Sequence, residues 1–131
     1  MITFDNRFLD DLFLQAEKVE RKRQNFDLRT SIVDTSQRML NALQPETVVP
    51  IHRHEATTET VVCLKGKLYE VMYAEVATPE GCFFKETERH LLCPSEGKYG
   101  LQIPVGVWHT IEVLEPSVIF EAKDGPYKNS K

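Results

Sequence analysis

A chain of 131 residues is long enough for one hydrophobic core and short for two, so a single domain is expected. Hydrophobic residues make up 41% and charged residues 27%, values that exclude a disordered or fibrous chain. Sixteen basic against twenty acidic residues leave a formal net charge of -4, so the overall balance offers nothing to the phosphate backbone of a nucleic acid.

The chain starts Met1-Ile2-Thr3-Phe4-Asp5, without the basic start and apolar stretch of a signal peptide. Its apolar runs are far shorter than a membrane span. A cytoplasmic location without a membrane partner is expected. Cys63, Cys82 and Cys93 are odd in number and scattered, which suits free thiols in a reducing compartment.

In chain order, residues 5 to 24 place Phe8, Leu9, Leu12, Phe13, Ala16 and Val19 at helical spacing, with Asp5 or Asn6 as N-cap and Arg21-Lys22-Arg23 in the last turn. A second helix is expected over 35–43, where Asp34 followed by Gln37 resembles a capping box ahead of Met39, Leu40, Ala42 and Leu43, and Pro45 stops it. From residue 47 onward, β-branched and aromatic runs alternate with turn residues. Strands are expected at Thr47–Ile51, Glu59–Leu64, Lys67–Val76, Phe83–Cys93, Tyr99–Ile103, His109–Glu115 and Ser117–Lys123. Seven short strands without intervening helices point to a mainly β sandwich or barrel. The expected organisation is a helical extension over 1–46, a barrel over 47–127 and a polar tail over 128–131.

The segment His52-Arg53-His54-Glu55-Ala56-Thr57-Thr58-Glu59 sets two histidines at i and i+2 beside a strand, so both imidazoles leave the same face and can share a metal. Glu59 follows four residues later, enough for a loop to return a carboxylate to the ion. The run Pro104-Val105-Gly106-Val107-Trp108-His109 adds a third imidazole where a tight turn feeds a strand. Three imidazoles and one carboxylate form a mixed nitrogen and oxygen set suited to one divalent ion such as iron, manganese, nickel or zinc. His90, in the charged run Glu86-Thr87-Glu88-Arg89-His90, reads as a surface histidine. Trp108, next to His109, should point to the opposite face.

His-x-His-x4-Glu-x6-Gly followed some forty residues later by Pro-x-Gly-x2-His resembles the paired motifs of the cupin superfamily, which implies a jelly-roll β-barrel with the metal inside. The ligands that the resemblance implies are His52, His54, Glu59 and His109. Glu46 and Val113 stand where those motifs more often carry glycine and asparagine. The stretches Arg23-Gln24-Asn25, Gln37 to Pro45, Ile103 to His109 and Phe120 to Tyr127 resemble more closely the small bacterial cupin fold metalloproteins called the WbuC family. That resemblance implies a metalloprotein and points toward surface polysaccharide metabolism.

Four protein ligands on a six-coordinate ion leave two positions for water or substrate, as at catalytic metal sites. The expected function is metal-dependent isomerisation or epimerisation of a sugar, sugar nucleotide or small oxo/hydroxy acid. An iron-dependent dioxygenase and a non-catalytic metabolite-binding module are the alternatives. An isomerase needs a separate base, for which Tyr69, Tyr73 and Tyr127 are available. Arg23 and Tyr127 are expected at the barrel rim, where a guanidinium and a phenol suit an anionic or polyhydroxylated ligand. A homodimer is expected, with strands near the termini contributing, because an open sandwich would otherwise present bare edges.

Overall fold

The computed structural model describes residues 1–126. Asp5 opens helix α1, Asn6–Lys18: its carboxylate accepts the backbone N–H of Phe8 at 2.9 Å, satisfying one of the donors a helix start leaves free. Leu9, Leu12 and Ala16, spaced three and four apart, bury one stripe of the helix. The helix ends at Lys18 and not at residue 24. Val19 is already extended, and Lys22 takes a positive φ of 59° while its carbonyl accepts from Gln44 N–H and the Thr47 hydroxyl. Arg21-Lys22-Arg23 therefore form the entry to a strand and not the last turn of the helix.

That strand is β1, Arg23–Asp27, and it pairs antiparallel with β2, Ser36–Leu43. The helix expected over 35–43 is thus corrected to a strand. Met39, Leu40, Ala42 and Leu43 are good helix formers, but this segment has a backbone partner on each side, β1 and the C-terminal strand, and tertiary pairing overrides a weak local preference. Asp34 caps no helix. Its carboxylate closes the β1–β2 connection by accepting from the backbone N–H of Thr30 and of Ser36.

Four further strands follow: β3 (Glu59–Thr78), β4 (Gly81–Leu92), β5 (Gly100–Ile103) and β6 (Trp108–Asp124). They complete a six-stranded antiparallel sheet in the order β1-β2-β6-β3-β4, with β5 paired to the first residues of β3. The stretches 59–64 and 67–76, expected as two strands, are one. The same is true of 109–115 and 117–123. Residues 47–51 form no ladder; that segment meets β6 through Val49, whose carbonyl accepts from the Thr110 hydroxyl.

Alternation along the strands separates two apolar clusters on opposite faces of the sheet. On one face Leu40, Ala42 and Val118 pack against the α1 stripe. On the other, Leu43, Val61, Cys63, Leu68, Met72, Ile103 and Ile119 form the inner cluster. Fully burying a leucine such as Leu40, Leu43 or Leu68 contributes about 2 kcal/mol, so these clusters give the domain its stability.

β3 turns odd-numbered residues inward before Gly66 (Glu59, Val61, Cys63) and even-numbered ones after it (Leu68, Glu70, Met72). The change of phase falls where the β3–β6 register shifts, between Cys63 and Leu68. Gly66 has a φ of 103° here, and a Cβ would run into the Pro116 carbonyl and Ser117.

Candidate metal centre

The segment carrying His52 and His54 reaches the sheet through a two-residue bridge. His52 and His109 exchange both backbone hydrogen bonds, at 3.0 and 2.8 Å, and Gly106 N–H donates to the His54 carbonyl at 2.8 Å. Residues paired in this way present their side chains together on one face. The His52 and His109 rings accordingly lie 4.3 Å apart between centroids, and His54 stands 5.2 and 5.6 Å from them. One ring nitrogen from each histidine lies within 4.8 Å of the other two.

Two contacts set the tautomers. His52 Nδ1 lies 2.9 Å from the Pro50 carbonyl and His109 Nδ1 2.9 Å from that of Val107. A carbonyl only accepts, so each Nδ1 carries the hydrogen and each Nε2 keeps a lone pair. Burial, with His109 and His54 nearby, outweighs the Pro50 carbonyl and holds His52 below the ordinary histidine range, which favours the neutral, metal-binding form.

Glu59, 4% exposed, abuts two members of the triad. Its oxygens lie 3.3 Å from His54 Nε2 and 3.5 Å from His109 Nε2, and Lys123 Nζ donates to it at 3.1 Å. Neither imidazole contact has hydrogen-bond geometry, so both Nε2 atoms are buried without a partner. Two ligands of one ion at bond lengths of about 2.1 Å stand roughly 3.0 to 3.4 Å apart, close to these separations. The donor set therefore fits a divalent ion, which would satisfy the orphaned nitrogens. Burial opposes ionisation of Glu59, but with the Lys123 ammonium donating to it the carboxyl stays below the usual carboxylate range.

The triad lines a cavity of about 780 Å³ whose wall includes Arg23, Asn41, Glu70 and Glu121. The Arg23 guanidinium, half-buried on this wall, is shifted down by burial. Tyr127 lies outside the described residues. Glu70, 2% exposed, is raised well above the ordinary carboxylate range by burial and by Glu59 and Glu121. Glu121 is surrounded by protein but touches the cavity, and burial pushes it up to about 7. Sequence reasoning missed both. Their signal is a charged residue at an inward position of an otherwise apolar alternation, Leu68-Glu70-Met72 and Ile119-Glu121, readable only once strand phase is known. An adjoining hollow of about 260 Å³ is lined by Arg29 and Arg38, which pair with Asp27 and Asp34.

Trp108 faces away from the triad, with the Arg53 guanidinium 4.5 Å above its ring and Phe84 at 5.0 Å. His90 is exposed on β4. Among the described residues no helix is long and apolar enough to cross a membrane.

Solved structures share this architecture. The capsular polysaccharide assembling protein CapF of Staphylococcus aureus is 20% identical with a TM-score of 0.61, over 84% of this chain and 30% of its own. A conserved protein of unknown function from Streptococcus pyogenes, SPY1581, is 11% identical with a TM-score of 0.59, over 84% of this chain and 80% of its own. Oxalate decarboxylase of Lactobacillus farciminis, solved as a formate complex, is 14% identical with a TM-score of 0.56, over 86% of this chain and 31% of its own. The chain thus spans under a third of CapF and of the decarboxylase. At these identities the likeness establishes a cupin-like fold. No curated protein matches the sequence. The model of the family described as Domain of unknown function (DUF6016) matches residues 4–80, more than half of the chain, and the protein belongs to that family.

Proposed function

We propose that this protein is a divalent-metal cupin of the WbuC kind that holds one ion, iron, manganese, nickel or zinc, on His52, His54, His109 and Glu59. The observation that carries the reading is the pair of buried Nε2 atoms, of His54 and His109, left without partners beside a carboxylate in a polar cavity. A buried polar atom with no partner costs about 1 to 3 kcal/mol, and an ion removes that cost. Such an ion supplies Lewis acidity toward a ligand carbonyl or hydroxyl through its remaining positions.

The chain's own residues orient the site. Pro50 and Val107 fix two imidazoles, Lys123 holds Glu59, and the cavity admits a ligand to the triad. Arg23 on the wall suits a phosphate, carboxylate or hydroxyl. Charge and roominess together support a sugar, a sugar nucleotide or a small oxo/hydroxy acid as ligand, and isomerisation or epimerisation as the reaction. A cytoplasmic homodimer completes the proposal; the dimer is supported by the exposed edge strand β4, in mid-chain, and not by the strands near the termini that the sequence suggested.

The test is elemental analysis of protein purified without an affinity tag. About one equivalent of metal is expected in the wild type and none in His54→Ala, with the fold kept in both. A wild type that neither contains nor takes up a divalent metal would sink the reading. Metal-dependent ligand binding without turnover would reassign the protein as a binding module.

A further inference from the structure

Isomerisation at a carbon beside a carbonyl requires one group that removes a proton and another that supplies one. Imidazoles committed to an ion cannot serve, and Glu59 is tied to Lys123. None of the described tyrosines lines the cavity: the Arg89 guanidinium covers the Tyr69 ring at 5.0 Å, Tyr73 lies against Phe84 at 6.4 Å, and Tyr99 is exposed elsewhere.

Of the other carboxyls on the cavity wall, Glu55 and Asp124 are exposed, Glu55 pairing with Arg53, which leaves Glu70 and Glu121 as the two set into the protein. Glu70 follows the inner row of β3 beside Met72, which pairs with His109, and is itself paired with Ile111. Its Oε2 is buried without a hydrogen-bond partner. Glu121 stands on the inner row of β6, two residues before Lys123 and paired with Val61. Neither side chain makes a hydrogen bond or ion pair with a described residue. The fold gains nothing from Glu70, since a buried carboxyl without partners is less stable than an apolar side chain of its size. Asn41, on the same wall, also keeps a buried Oδ1 without a partner, an acceptor suited to a ligand hydroxyl.

Resting on the metal reading above, we infer that Glu70 and Glu121 are the proton-transfer pair for a 2-hydroxy carbonyl ligand, an aldose or ketose, seated in this cavity with its carbonyl toward the imidazoles. Glu121, as carboxylate, takes the proton from the carbon next to the carbonyl. As that C–H bond breaks, its electron pair forms a C=C bond and the C=O π pair moves onto oxygen. That oxygen takes the proton of the Glu70 carboxyl, leaving Glu121 protonated and Glu70 ionised. Loss of the proton from the neighbouring hydroxyl to Glu70, with return of the Glu121 proton to the former carbonyl carbon, completes a 1,2-isomerisation with no oxidant or reductant. The assignment of roles follows position: burial raises both carboxyls, but Glu70 is almost wholly enclosed, whereas Glu121 shares the cavity wall with Lys123 and Arg23, whose charges offset part of that rise.

The test follows carbon-bound deuterium by NMR after metal-replete protein is incubated in D2O with a panel of five- and six-carbon aldoses and ketoses. Metal content is measured first, so absence of metal overturns the metal reading itself, separately from the pair. Deuterium is expected at the carbon beside the carbonyl of at least one sugar. Glu70→Gln and Glu121→Gln, close in shape to the native residues, should each slow exchange about 100-fold or more, with wild-type metal content and unfolding midpoints no lower. Wild-type exchange in both variants overturns the assignment, and so does a metal-replete wild type that exchanges no sugar of the panel.

Discussion

Lys123 Nζ donates to Glu59 Oε2 at 3.1 Å, and the same oxygen lies 3.3 Å from His54 Nε2. Without an ion, the lysine is, among the described residues, the one full positive charge paired with the buried carboxylate. Lys123→Met should therefore destabilise the metal-free protein by about 3 kcal/mol, the usual cost of stranding one partner of a buried pair. The metal-loaded variant should lose much less, because the ion takes over the compensation. Thermal unfolding with and without bound metal checks this, and equal losses in both states would count against a metal at Glu59.

Gly66 is required by geometry on two counts, its φ of 103° and the approach of Pro116 and Ser117. Gly66→Ala should cost at least about 3 kcal/mol, from left-handed strain plus overpacking. Urea unfolding gives the number. A loss under 1 kcal/mol would mean that this stretch of β3 relaxes freely.

Asp34 is held down at about 2 by the N–H groups of Thr30 and Ser36, with the Thr30 hydroxyl and Arg38 helping. A carboxyl whose folded pKa is depressed stabilises the fold above its unfolded pKa, and the effect is lost as pH falls through the folded value. Asp34→Asn should thus lower the thermal midpoint at pH 7, with the gap to wild type closing between about pH 4 and pH 2. A gap that stays constant down to pH 2 would show that the charge of Asp34 is irrelevant.

The edge strand β4 exposes nearly all of its residues, Phe83 and Phe84 among them, and among the described residues no strand pairs with its outer side. Such an edge calls for a partner or a guard. Sedimentation at micromolar concentration should show a dimer, and Phe83→Glu should shift it toward monomer. A wild-type monomer would leave the edge to be guarded by its own charges, Lys85, Glu86, Glu88 and Arg89.

Much of the site was legible because its histidines are close in sequence and alternate in phase. His52 and His54 leave one face of a short extended segment, and the Pro104 to His109 turn marks where the third imidazole enters a strand. Helix α1 was legible from the spacing of Leu9, Leu12 and Ala16, but its end was not, since Lys22 is held by Gln44 and Thr47 from a distant segment. The strand character of 36–43 was hidden by helix-forming residues, in a segment whose pairing partners lie up to 88 residues away in the chain. Glu70 escaped notice for a different reason. The irregularity around Gly66 inverts the in-and-out phase of β3, so alternation counted from Glu59 puts Glu70 on the wrong face.

Arg53 and Trp108 are chain neighbours of the metal-site residues, yet they meet on the far side of the backbone. Each histidine segment is therefore gripped twice, by the His52–His109 bridge within and by this cation–π contact without. The outer clasp works like the back stitch of a seam, holding the rims of the inner face in line. Loosening it would let the two strips slide, so the precision of a centre that faces inward is kept in part by a pair of residues on the outer skin of the protein.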